Sequence, residues 1–203
     1  MSVRTHASNV AFPGGAQDPG DADDVHTALR EAHEEVGLDP SDVTVVARLP
    51  PLFARKNNSV FPVVGFIPSE FRPSANPHEV AVVFSAPLRL FTGDRLTFAS
   101  MELFGKTCLF PFVTHVVDGS PLLIWGLTCS VCVAVARAVV GPFKRLRVIL
   151  GSRSGEEFSD RTEERDVGDD EEEEEDDDDG NVFGDLGALY HILCKASRPS
   201  GRL

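Results

Sequence analysis

Residues 12–38 read FPGGAQDPGDADDVHTALREAHEEVGL, and this stretch decides the fold. Val25, Ala28, Leu29, Ala32 and Val36 recur at helical spacing and form one apolar stripe. The pattern predicts a helix over 21–37. Asp21 is its expected N-cap, Asp24 sits in its first turn, Gly37 stops it and Pro40 bars continuation. At about 100° per residue, Glu31, Glu34 and Glu35 fall within one arc on the other side of that helix. Arg30 precedes Glu34 by one turn, where the two can pair. Clustered carboxylates repel, so the arc reads either as a solvated acidic face or as a site for a hard divalent cation. Glutamates at i, i+3 and i+4 can converge on one ion or a pair of ions. Gly14 and Gly15 allow a tight turn that brings a backbone carbonyl to the same ion, which favours the cation reading.

Beyond the helix, strand-like runs occupy 43–49 (VTVVARL), 60–67 (VFPVVGFI), 79–84 (EVAVVF) and 108–113 (CLFPFV). A second helix is expected over 127–140, and a short terminal helix over 183–196. Strands with intervening and flanking helices define an α/β (α+β) layer fold. The expected organisation is one domain over 1–150, an acidic disordered linker over 151–182, and a helix with a tail over 183–203.

The formal net charge is −13, but the run DDEEEEEDDDD at 169–179 supplies eleven of those charges. The remainder is near neutral, so no basic field argues for nucleic acid. The acidic run reads as a solvated linker. Cys108, Cys129, Cys132 and Cys194 make no dense disulfide framework, and a reducing interior is the expectation. A lone CxxC at Cys129 and Cys132 reads as small core residues rather than a zinc site. The most apolar region, 121–140, is interrupted by Gly126, Thr128, Ser130 and Arg137, so a buried helix is expected there and no membrane partner.

REAHEEVGL at 30–38, behind FPGG, resembles the Nudix box Arg-Glu-U-x-Glu-Glu-x-Gly-U, where U is aliphatic. The resemblance implies a Nudix fold, a mixed β-sheet sandwiched between helices, and hydrolysis of a nucleoside diphosphate linked to another moiety. It also implies Mg²⁺ or Mn²⁺ held by Glu31, Glu34, Glu35 and the Gly14 carbonyl, with Arg30 orienting the glutamates by ion pairing. The box's earlier glutamate falls on Ala22, with Asp21 adjacent.

The longer pattern is similar to the coenzyme A diphosphatase branch, especially its peroxisomal animal members. It carries TALREA at 27–32 and the Asp-rich insert. The branch's upstream element Arg-x-x-x-Gly-x-x-x-Phe-Pro-Gly-Gly is met at Arg4 and Phe12, with Ser8 at the glycine position. FPVVGFI at 61–67, NPHEV at 76–80 and IWGLT at 124–128 extend the likeness over residues 3–140. The substrate implied is coenzyme A or acyl-coenzyme A, cleaved to 3′,5′-ADP and (acyl-)4′-phosphopantetheine, with Arg4 and Phe12 as substrate-binding residues.

Glu79 follows the Asn76-Pro77 turn and opens an apolar strand. It is read as a further catalytic carboxylate beside Glu34, Glu35 and Arg30. His33 points away from the arc, and His78 adjoins Glu79. Only eleven residues precede Phe12, so the early strands of the fold are expected to be missing, or the tail to fill the gap. The C-terminal Gly201-Arg202-Leu203 partly matches a peroxisomal import signal read by a receptor; otherwise the location expected is cytoplasmic. Two alternatives stand beside coenzyme A hydrolysis. One is a Nudix hydrolase of another nucleoside diphosphate such as ADP-ribose, a dinucleotide or capped RNA. The other is a non-catalytic Nudix-like binding protein.

Overall fold

The computed structural model describes residues 10–53, 59–103, 106–141, 145–149, 162–166 and 191–197. In chain order the elements are β1 (Val10–Ala11), α1 (Asp24–Val36), β2 (Thr44–Arg48), β3 (Leu52–Phe53), β4 (Ser59–Val60), β5 (Val63–Phe66), β6 (Val80–Pro87), β7 (Thr97–Leu103), β8 (Lys106–Val117), β9 (Ser120–Trp125), α2 (Gly126–Val140), β10 (Arg145–Ile149), β11 (Thr162–Asp166) and β12 (His191–Ser197). The class is the α/β class expected, with mixed strand pairing: β10 runs parallel to β7, while β7–β8, β8–β9 and β10–β11 are antiparallel. The described residues fall into two compact units, divided between Phe84 and Ser85 and again between Ile192 and Leu193.

In the first unit α1 starts later than its periodicity implies. The N-cap is Asp23, whose carboxylate accepts from the His26 N–H at 2.8 Å. Asp21 cannot cap, because its carboxylate is committed to Arg30. The helix ends as expected on Gly37, whose φ of 71° is left-handed and so favours a residue without Cβ. There the Gly37 N–H bonds the His33 carbonyl at 3.0 Å, and the Leu38 N–H bonds that of Ala32 at 3.3 Å. Ala32, Val36 and Leu38 bury their side chains with Val43, Phe71 and Val83, which fixes the helix's roll. Arg48 of β2 donates to Asp24 and lies 4.3 Å over the Phe61 ring, tying the β2–β5 ribbon to the start of the helix. The expected strand over 60–67 breaks at Phe61-Pro62 into β4 and β5, since proline has no N–H for a ladder.

The chain's far end corrects two expectations. Residues 191–197 form β12, not part of a helix, and this strand stands between β1 and β6. Its facing pairs with β1 are Val10–Ala196 and Ala11–Lys195. Pairing along both edges outweighs the weak local helix preference, the usual way tertiary context overrides propensity. Within the segment read as a disordered linker, Thr162–Asp166 forms β11, held by a five-pair antiparallel register against β10. The acidic run 169–179 and residues 183–190 lie outside the described residues.

The second unit is built on the sheet β11-β10-β7-β8-β9. A two-residue turn, Asp118-Gly119, joins β8 to β9, with φ of 48° and 77°. Both values match the primed turns that suit a twisted hairpin. The apolar region 121–140 is not one helix. It is β9 up to Trp125, then α2 from Gly126. Cys129, Val131, Cys132 and Ala136 are buried on α2, which packs on β8, β9 and the 3-10 turn Leu88–Phe91. No described helix is long and apolar enough to cross a membrane.

Candidate functional site

The Phe-Pro-Gly-Gly loop and the glutamates of α1 meet within the first unit. The Gly14 N–H donates to Glu35 Oε2 at 3.1 Å. A methyl group at position 15 would lie 2.6 Å from Glu31 Cδ and 2.9 Å from Glu31 Oε2, so a larger residue there would displace the Glu31 carboxylate. The loop covers part of the glutamate arc. Glu35 is only 5% exposed, whereas Glu34 stays exposed at the rim. Burying a carboxylate is costly unless it is hydrogen-bonded. Gly14 supplies such a bond to Glu35.

A second loop closes on the same residue from behind. The Asn76 N–H donates to the Glu35 backbone carbonyl at 2.9 Å, and the Ser74 N–H to that of Val36 at 2.9 Å. These bonds satisfy carbonyls that the helix end would leave open. Asn76 then organises the turn: its carbonyl accepts from the Glu79 N–H at 3.2 Å and the Val80 N–H at 2.9 Å, and its side chain accepts from the His78 N–H at 3.1 Å. Glu79 and His78 are therefore presented, exposed, on a turn anchored to the helix that carries Glu35.

Arg30 is the local cation. Its Nε and Nη2 each donate to Asp21 at 3.0 Å, and Nη2 also reaches the Ala16 carbonyl at 3.1 Å. Nη1 lies 3.0 Å from Glu31 and 3.2 Å from Glu34. Asp21 also accepts from the Asp18 N–H and the Thr27 hydroxyl, both at 2.9 Å. These donors, Arg30 first among them, hold the Asp21 carboxyl far below the usual carboxylate range, and Asp21 in turn raises the Arg30 guanidinium.

Sequence reasoning placed Asp21 at the helix cap and paired Arg30 with Glu34; the second pairing, Arg30 with Asp21, it missed. Two signals could have found the pair: Thr27, a polar residue that turns out buried on α1, and an aspartate nine residues before the arginine. Phe12 is half-buried at the mouth of the loop, Ala22 is exposed, and Arg4 lies outside the described residues.

The donor set suits a hard divalent cation in kind, being carboxylate and carbonyl oxygen throughout. In the conformation described the carboxylates turn to Arg30 and Gly14 instead. Among the described residues no three acidic, histidine or cysteine side chains converge on one point.

Comparison with known proteins agrees with the box. The NUDIX domain family matches residues 2–99. Nudix hydrolase 15, mitochondrial, of Arabidopsis thaliana is 38% identical over 137 residues, 66% of this chain and 48% of the relative. Peroxisomal coenzyme A diphosphatase NUDT7 of Mus musculus is 37% identical over 145 residues, 68% of this chain and 60% of the relative. An uncharacterized Nudix hydrolase, NudL, of Photorhabdus laumondii is 34% identical over 146 residues, 68% of this chain and 72% of the relative. The chain belongs to the Nudix hydrolase family. It spans about half the length of the Arabidopsis relatives it matches.

Two outcomes follow from the geometry. Asp21→Asn removes a carboxylate whose folded-state pKa is depressed, and that contribution to stability is complete above the unfolded value of about 3.9. The melting temperature of Asp21→Asn should therefore fall below that of the parent chain from neutral pH down to about 4. The gap should close on further acidification, as the parent's own Asp21 protonates. Gly15→Ala should push the Glu31 carboxylate aside without removing any functional group. It should lower Mn²⁺ affinity by about tenfold and leave the melting temperature nearly unchanged, read by calorimetric titration and thermal unfolding.

Proposed function

We propose that this chain is a divalent-metal-dependent hydrolase of the diphosphate in coenzyme A or its acyl derivatives, releasing 3′,5′-ADP and 4′-phosphopantetheine or its acyl form. The observation that carries the reading is the Gly14–Glu35 hydrogen bond, which seats the Phe-Pro-Gly-Gly loop on the glutamate helix. The substrate class is supported by the mouse relative's name and by the run of likeness from Phe12 through Asn76-Pro77 to the 124–128 segment.

Nudix hydrolases generally use divalent metals, and Glu31, Glu34, Glu35 and the Gly14 carbonyl would hold Mg²⁺ or Mn²⁺ here. When bound, the cation supplies charge neutralisation at the diphosphate and a lowered pKa for a water. Arg30, anchored by Asp21, sets where Glu31 and Glu34 point and offers Nη1 as the group that yields when a cation takes its place. Glu35 has its rotamer fixed by Gly14 and its backbone by Asn76, so it is the most rigid carboxylate and the best placed to accept a proton from water. Glu79, on the turn anchored through Asn76, supplies a further carboxylate from the opposite loop. Arg4 upstream of the loop and Phe12 at its start would contact the coenzyme A moiety. The mouse relative's name supports a peroxisomal location.

A non-catalytic reading has a specific observation behind it too: the carboxylates do not converge on one point. Purified protein with Mn²⁺ should release 3′,5′-ADP from coenzyme A faster than it releases AMP from ADP-ribose. Glu35→Gln should lower kcat by about 10²–10⁴-fold with the fold retained. Faster turnover of ADP-ribose would move the substrate class, and no turnover of either by folded protein would leave only binding.

A further inference from the structure

β1 is two residues long and needs a partner to exist as a strand. Among the described residues that partner is β12, whose other edge faces β6. Both outer strands lead directly into the candidate site. β1 runs into Phe12-Pro13-Gly14, and the Gly14 N–H holds the Glu35 carboxylate at 3.1 Å. From Ala11 to Gly14 the chain spans at most about 11 Å, so a displacement of β1 has little slack before it reaches Gly14. β6 begins at Val80, next to Glu79, and the turn before it is tied to the Glu35 carbonyl through the Asn76 N–H at 2.9 Å. A strand from the far end of the sequence therefore separates, and spaces, the two loops that frame Glu35.

We propose that residues 191–197 are a clasp for the metal-binding loops. Pairing of β12 with β1 and β6 sets the distance between the Phe-Pro-Gly-Gly loop and the Glu79 turn, so cation affinity at Glu31, Glu34 and Glu35 depends on the docked C-terminal strand. The functional half rests on the metal-site reading above; the structural half rests on strand pairing alone. The physical reason is edge completion. With β12 withdrawn, β1 has no ladder to hold it, and the facing edge of β6 presents open backbone groups. Gly14 is then tethered only through Glu35 itself. The clasp also works at a distance in sequence: its last strand reaches the site across a segment that includes the acidic run 169–179.

The test uses the full chain. Facing residues of an antiparallel pair lie about 4.5–5.5 Å apart at Cα, within reach of a disulfide. In a Cys194→Ser background, Val10→Cys with Ala196→Cys should close an intramolecular disulfide on mild oxidation, seen by peptide mass spectrometry. Mn²⁺ affinity should stay within about twofold of the parent's, because the link fixes a geometry already present. Lys195→Pro interrupts the middle strand. It should raise hydrogen exchange at the Gly14 and Asn76 amides by at least about tenfold and weaken Mn²⁺ binding by a similar factor. Absence of the disulfide in folded protein, or unchanged exchange at Gly14 and Asn76 in Lys195→Pro, would overturn the clasp. If the parent chain bound no Mn²⁺, the metal reading would fail by itself, and the disulfide and the exchange rates would still decide the clasp. If Lys195→Pro did not fold, Lys195→Gly, which weakens the strand without removing an N–H, takes its place in the exchange and Mn²⁺ measurements, with the same outcomes deciding the clasp.

Discussion

The first unit depends on how one carboxylate is buried. Glu35 is held from two directions, its side chain by the Gly14 N–H and its backbone carbonyl by the Asn76 N–H. Each of the two loops is tied by a backbone N–H to the same residue of α1. The helix can carry that role because its roll is fixed by Val36 and Ala32 in the core and its end is locked by Gly37. The fold thus delivers two chain segments, distant in sequence, to one turn of helix.

Arg30 answers the electrostatic question that the glutamate cluster raises. Carboxylates packed on one helical turn repel, and Arg30 shares Nη1 between Glu31 and Glu34 while Asp21 anchors its other edge. The arrangement has a direction. The Asp21 side makes paired hydrogen bonds with a nearly buried partner, whereas Glu34 is half exposed, so the Nη1 contacts are the ones that can be exchanged for a cation at least cost. Pairing of this kind holds the carboxylates in place against their mutual repulsion.

Much of this was legible in the sequence, for physical reasons that are local. The apolar stripe, Gly37 and the spacing of Arg30 with the glutamates are read within one helix, and the helix, its stop and its arginine pairing are all observed. What failed was non-local. Asp21 and Asp23 are equally good caps on paper; only Arg30's reach across nine residues decides between them. The burial of Glu35 depends on a loop that arrives from twenty-one residues upstream, so its hydrogen bond from Gly14 could not be read from the helix alone. β9 was hidden inside an apolar run that continues into α2, although Asp118-Gly119 marks a hairpin turn ahead of it. The strand at 191–197 has no strong local pattern and exists through its two neighbours.

The central claim is that Glu31, Glu34 and Glu35 with the Gly14 loop form a divalent-cation site. The direct measurement is Mn²⁺ binding to the full chain, followed by electron paramagnetic resonance of the free ion. The acidic run 169–179 will also attract cations, weakly and with strong sensitivity to salt. The account predicts two classes of binding in the parent chain: one tighter and salt-resistant, the other weak. Glu31→Gln combined with Glu35→Gln should abolish the tighter class and leave the weak one. A parent chain showing only weak, salt-sensitive binding, or a double variant that keeps the tight class, would contradict it.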